Sequence, residues 1–196
     1  MANQDAPFGF RQVGGLGSRP TSEGTSKYTI ISGFTTAMYA GDVVAAGSEA
    51  DEAGVTIPAG YVGQAAATSS LRIVGVFNGC LYDDPTTSKP TFKNYWPGDV
   101  GATATAFVYD NPDDLFEVQA TGIIAVTNIC QPMNFAYTAG STINGRSKEE
   151  LGITTSTTLQ TRIVRISGDP SNSDAAAVNA NWIVKFNKHL YYNYAK

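Results

Sequence analysis

The chain has 196 residues, a formal net charge of −4, only 15% charged residues and two cysteines. A chain of this size suits one substantial domain or a domain with an extension, and it needs no disulfide staple. An acidic balance without clustered Lys and Arg excludes a nucleic-acid partner, and abundant Gly, Thr, Ser and Ala with scarce helix formers favours a mostly β protein.

Residues 1–27 show little periodicity but much Gly, Ser and Pro, and read as an extended N-terminal arm ahead of a β-rich body over 28–196. The opening MANQDAPFGF has neither the basic region nor the apolar core of a signal peptide. No apolar run reaches the roughly 20 residues of a membrane span, so the expectation is a protein made in a cytoplasm, with no membrane partner. Phe8, Phe10 and Arg11 place three apolar or stacking groups in four positions. The arm is therefore either a disordered terminus or a tether that docks these residues on a neighbouring protein. The glycines of 14–17 lack the preceding strand and following helix of a phosphate cradle.

Strands are expected at 28–31, 43–45, 55–57, 60–66 and 71–77, the second entered through a Gly41-Asp42 hairpin turn. The near-continuous apolar run of 71–77 marks a central strand, in which Gly75 permits a bulge or a close backbone approach. Short strands joined by Gly and Pro turns suggest a small β-barrel or β-sandwich with long loops. The stretch 78–99 is aromatic but carries three prolines, so it reads as a long loop, with a sub-division of the body near 83–99. Its Tyr82, Phe92, Tyr95 and Trp96 either cap the core or face a partner, and Tyr95 and Trp96 join the arm residues as candidate contacts.

In 103–121, Thr105, Phe107 and Tyr109 alternate with Ala104, Ala106 and Val108, and Phe116 and Val118 alternate with Glu117 and Gln119. Asp110-Asn111-Pro112-Asp113-Asp114 between them reverses the chain, which predicts an exposed, solvated hairpin end. Residues 123–129 form another apolar run. GSTINGRS over 140–147 resembles a phosphate loop with Arg146 in place of lysine, but no buried strand feeds it, and a turn followed by one helical turn capped by Ser147 and Glu150 is the better reading. Residues 157–166 and 180–187 are strands, and an aromatic tail follows.

No catalytic constellation emerges. His189, the only histidine, sits near an end expected to fray, and two distant cysteines with one histidine cannot close a zinc site. Asp110, Asp113, Asp114 and Glu117 can offer oxygens to calcium, but without the alternation of a calcium loop. The expectation is no enzyme, no metal and no cofactor.

The chain resembles the small head-decoration, or cement, proteins of tailed bacteriophages, as in phages of marine and aquatic bacteria. The likeness spans nearly the whole chain and is carried by MANQDAPFGFR, YAGDVV, RIVGVFNGCLYDD, FVYDNPDDLFEVQ, INGRSKEELG and NANWIVKFNKH. It implies a β-rich virion protein on the outer capsid surface, clamping neighbouring subunits of the major capsid protein. It also implies self-association, as a trimer ahead of a dimer. The residues themselves leave open a tail or fibre component, or a glycan-binding module on an exposed aromatic platform.

Overall fold

A computed structural model describes residues 3–18, 24–47, 49–67 and 72–192. Residues 1–2 and 19–23 of the expected arm, Leu71 of the expected central strand and Tyr194 of the aromatic tail lie outside them.

In chain order the strands are Arg11–Gly15 (β1), Ser26–Ile30 (β2), Met38–Tyr39 (β3), Val43–Ala46 (β4), Val62–Gln64 (β5), Ile73–Asp83 (β6), Pro90–Lys93 (β7), Tyr95–Trp96 (β8), Ala104–Tyr109 (β9), Asp114–Gln119 (β10), Pro132–Ala136 (β11), Glu150–Thr155 (β12), Thr161–Ile166 (β13) and Asn181–Phe186 (β14). They assemble into two six-stranded sheets, one ordered β1-β10-β14-β13-β11-β12, the other β2-β9-β6-β4-β5 with β7 also on β6, and a ribbon of β3 and β8. Buried side chains from both large sheets form one contiguous core, so the body is mostly β and takes the sandwich form. Among the described residues the helical elements are two 3-10 turns, Leu16–Ser18 and Val126–Asn128, and no helix is long and apolar enough to cross a membrane.

Residues 103–121 do contain two strands and a tight reversal, closed by Asp114 N–H donating to Asn111 O at 3.0 Å and Asp113 N–H to Asn111 Oδ1 at 3.1 Å. They are not a hairpin. Strand β9 lies between β2 and β6, whereas β10 lies between β1 and β14 in the other sheet. The four-residue connection 110–113, stiffened by Pro112, lacks the two-residue I′ or II′ geometry that locks flanking strands into mutual register, so each flank is free to pair elsewhere. Gly41-Asp42 behaves alike: β3 pairs β8, while β4 pairs β5 and β6.

Strand β6 is central, as its apolar run requires, with β9 on one side and β4 and β7 on the other. At Gly75 a side chain would collide with Tyr109 O, so the glycine marks the close approach; the register against β4 also slips beside it, at Val74, and a second bulge, against β9, falls at Phe77/Gly79. The expected loop over 78–99 is corrected by the same strand, which continues to Asp83 and returns as β7 and β8. The prolines did not prevent this, because Pro90 opens an edge strand, where no ladder N–H is needed.

Over residues 3–18 the N-terminal segment is extended and docked on the body. Asn3 Nδ2 donates to Asp174 O and Val178 O, at 2.9 and 2.8 Å, Gln4 N–H donates to Asn172 Oδ1 at 3.0 Å, and Ala6 N–H donates to Gln119 Oε1 at 3.0 Å. Phe10 enters the core and β1 pairs with β10. Gly9 permits this docking, since it holds φ of +74° and a Cβ there would lie 2.4 Å from Ser147 Cβ.

Three smaller expectations also change. Residues 123–129 are a loop with a 3-10 turn, and Ile123 and Val126 are exposed. Over 55–57 there is only a bridge from Thr56 to Ala50. The helical turn after Gly145 does not form, because Leu151 is drawn into the core as Glu150–Thr155 pairs with β11, and Ser147 Oγ accepts from Glu149 N–H at 3.0 Å.

Candidate attachment surface

The five residues singled out as contacts separate by burial. Phe10 is 2% exposed, at 5.7 Å from Phe186 and 6.2 Å from Phe135 between ring centroids. Trp96 is 0% exposed, its Nε1–H donating to Phe34 O at 3.1 Å and its ring edge-on to Tyr82. Neither ring can meet a partner in this fold; a strong aromatic signal in a glycine-rich or proline-rich stretch marked core anchors. Trp96 accordingly supplies no exposed platform for a sugar. Phe8 and Tyr95 are half-buried and Arg11 is exposed. The Arg11 guanidinium sits 4.9 Å from the Phe8 ring centroid and pairs with Glu117, whose other oxygen accepts from the Ser167 hydroxyl. Tyr95 stacks on Tyr39 at 5.9 Å, with the Lys93 ammonium 5.3 Å from its centroid.

Phe8 and Arg11 line a cleft of about 350 Å³, where the N-terminal segment crosses between the sheets and meets β6, β9 and the 141–146 turn. The turn is tightly built. Ser141 N–H donates to Arg146 O at 2.9 Å, Gly145 N–H to Ser141 O at 2.7 Å, and Asn94 Nδ2 to Asn144 O at 2.8 Å. Gly145, with φ of +66° and Asn94 pressed against it, supplies the left-handed residue that closes it. The tip presents Ile143, 97% exposed, and beside it Arg146, whose guanidinium has no hydrogen-bond or ion-pair partner among the described residues. Sequence reading passed over both, because it weighed GSTINGRS as a phosphate loop or a helix start. The usable signal was Asn144-Gly145 between strand-like segments, a turn with an apolar residue at its crest.

The acidic turn is a junction rather than a solvated end. Asp110 accepts from the Ser26 and Tyr28 hydroxyls at 2.9 and 2.7 Å, Asp113 from the Tyr192 hydroxyl at 2.7 Å, and buried Asp114 from Gln12 Nε2 at 2.5 Å. Their oxygens thus tie both chain ends to the body. His189 likewise does not fray. It is 1% exposed, its segment is bound through Leu190 N–H to Ile73 O at 2.8 Å, and burial pushes its pKa down.

Two carboxyls lie wholly inside. Asp42 accepts from Tyr39 N–H at 2.8 Å, and Glu149 from Val43 N–H at 2.9 Å and Gln64 Nε2 at 3.3 Å. Burial pushes Asp42 up to about 7, against the opposing pull of Ser147 and the Tyr39 N–H. Burial and the Asp42 charge together push Glu149 well above the carboxylate range. Among the described residues no Lys, Arg or His forms an ion pair with either, so burial favours the protonated form of both.

Comparison with family models, with curated proteins and with solved structures finds no match to this chain.

Proposed function

We infer that the chain is a structural virion protein, a decoration protein that binds outside an icosahedral phage head and clamps neighbouring major capsid subunits. The sequence motifs motivate this reading, and one observation carries it: an almost fully exposed Ile143 on a turn already fixed by its own hydrogen bonds and by Asn94. Burying that side chain against a partner contributes roughly 1.5–3 kcal/mol, and little ordering entropy offsets it because the turn is rigid beforehand. A single contact of this size binds weakly. Copies joined as a trimer, ahead of a dimer, on a shell of repeated subunits multiply it.

The reading places the chain on the outer head surface, with the major capsid protein and its own copies as partners. It is tested by adding purified protein to expanded heads that lack it and sedimenting the particles, and by labelling intact particles with an antibody against the chain. Saturable co-sedimentation and label over the head support decoration; label confined to tails, or no binding to heads, overturns it.

A further inference from the structure

We propose that the cleft beside the 141–146 turn receives a carboxylate, an Asp or Glu side chain of the protein surface to which this chain attaches; the inference rests on the attachment reading above. Charge is the first argument. Arg11 and Arg146 both line the cleft and no Asp or Glu does, although the chain as a whole carries a net charge of −4. Arg11 is neutralised by Glu117, which leaves Arg146 as the uncompensated cation. Its planar fork matches two carboxylate oxygens.

The second argument is the bulge in β6. Phe77 pairs with Val108 and Gly79 with Phe107, so Asn78 is the extra residue, and the bulge turns its exposed carboxamide to the cleft with no hydrogen-bond partner among the described residues. Asn78 Nδ2 supplies one further donor of the kind an anion uses. Phe8 and Tyr109 wall the space, which suits the apolar stem of a Glu or the neighbours of an Asp. The overall negative charge repels a polyanion, so the carboxylate of a protein fits better than nucleic-acid phosphate. Asn94, by holding Asn144, fixes the base of the Arg146 fork before anything binds.

The test is a ¹H–¹⁵N NMR titration of the full chain with the peptide Ac-Gly-Glu-Phe-Asp-Gly-NH2, its Gln/Asn counterpart, and inorganic phosphate. The acidic peptide should move the Asn78 side-chain and Arg146 Nε signals with a dissociation constant of about 10 mM, as one charge-assisted contact supports. The amide peptide should leave them in place, and Arg146→Gln should weaken binding about tenfold. Equal response to both peptides, no effect of Arg146→Gln, or a response to phosphate alone overturns the proposal. On expanded heads, Arg146→Glu should lower occupancy about tenfold at limiting protein. If the wild-type chain ignores heads, the attachment reading fails while the titration still decides the cleft. If wild type and Arg146→Glu decorate heads alike, the cleft proposal fails and attachment stands.

Discussion

The Phe10 and Phe186 rings lie 5.7 Å apart between centroids, with Phe116 completing the group at 6.5 and 5.2 Å from them. A residue just ahead of β1 and one at the end of β14 therefore share one core, and the N-terminal segment is part of the sandwich.

Phe10→Ala should cost about 3–5 kcal/mol of unfolding free energy, the range for emptying a buried aromatic site. Deleting residues 2–16 should lower the melting temperature of the isolated protein, because it removes both this ring and the β1 edge of its sheet. Urea denaturation of both variants checks this, and an unchanged midpoint in either contradicts the docked arm.

Gly9→Ala should destabilise by more than about 1 kcal/mol, since the residue holds a left-handed φ and the new methyl meets Ser147 and Gly41 O. Gly14→Ala, with nothing within 4 Å of its added methyl, should change stability by less than about 0.5 kcal/mol. Thermal melts of the two single variants separate a steric requirement from a general cost of losing glycine.

The strands around 43–45, 60–66, 71–77 and 103–121 were legible because apolar periodicity is local. Their partners were not. Asp110 to Asp114 and Gly41-Asp42 carry turn chemistry that reports a reversal of direction and says nothing of which sheet receives the next strand. That choice is made by distant residues, as when Phe116 meets Val184 and Val76 meets Tyr109. Phe8 and Arg11 were found as candidates for the surface, but Ile143 and Arg146 depend on a turn whose exposure only the fold decides.

The Asp42–Glu149 pair predicts stability that falls with rising pH. Below about 4 the folded and unfolded chains both hold these protons, so burial is least costly. As pH rises the unfolded chain releases them while the folded chain retains them, and the Asp42 contribution is lost progressively up to about 7. Asp42→Asn keeps an acceptor for the Tyr39 N–H and removes one titration. Urea midpoints between pH 5 and 8 should fall less steeply in this variant than in wild type; an identical slope would assign the pH dependence elsewhere.

Ile143→Asp should leave the melting temperature within about 2 °C of wild type, because the side chain touches almost nothing in the isolated protein. The same change should reduce occupancy on expanded heads at least about tenfold by placing a charge in the contact. Co-sedimentation at limiting protein measures it, and undiminished decoration would remove the turn from the interface.

The most direct measurement is cryo-electron microscopy of virions that carry the chain, at a resolution that fits the sandwich into density. The account predicts density for it on the outer head surface, with the 141–146 turn and the Arg146 cleft against the major capsid protein. Density for the chain in the tail, or on the head with this turn facing solvent, contradicts it.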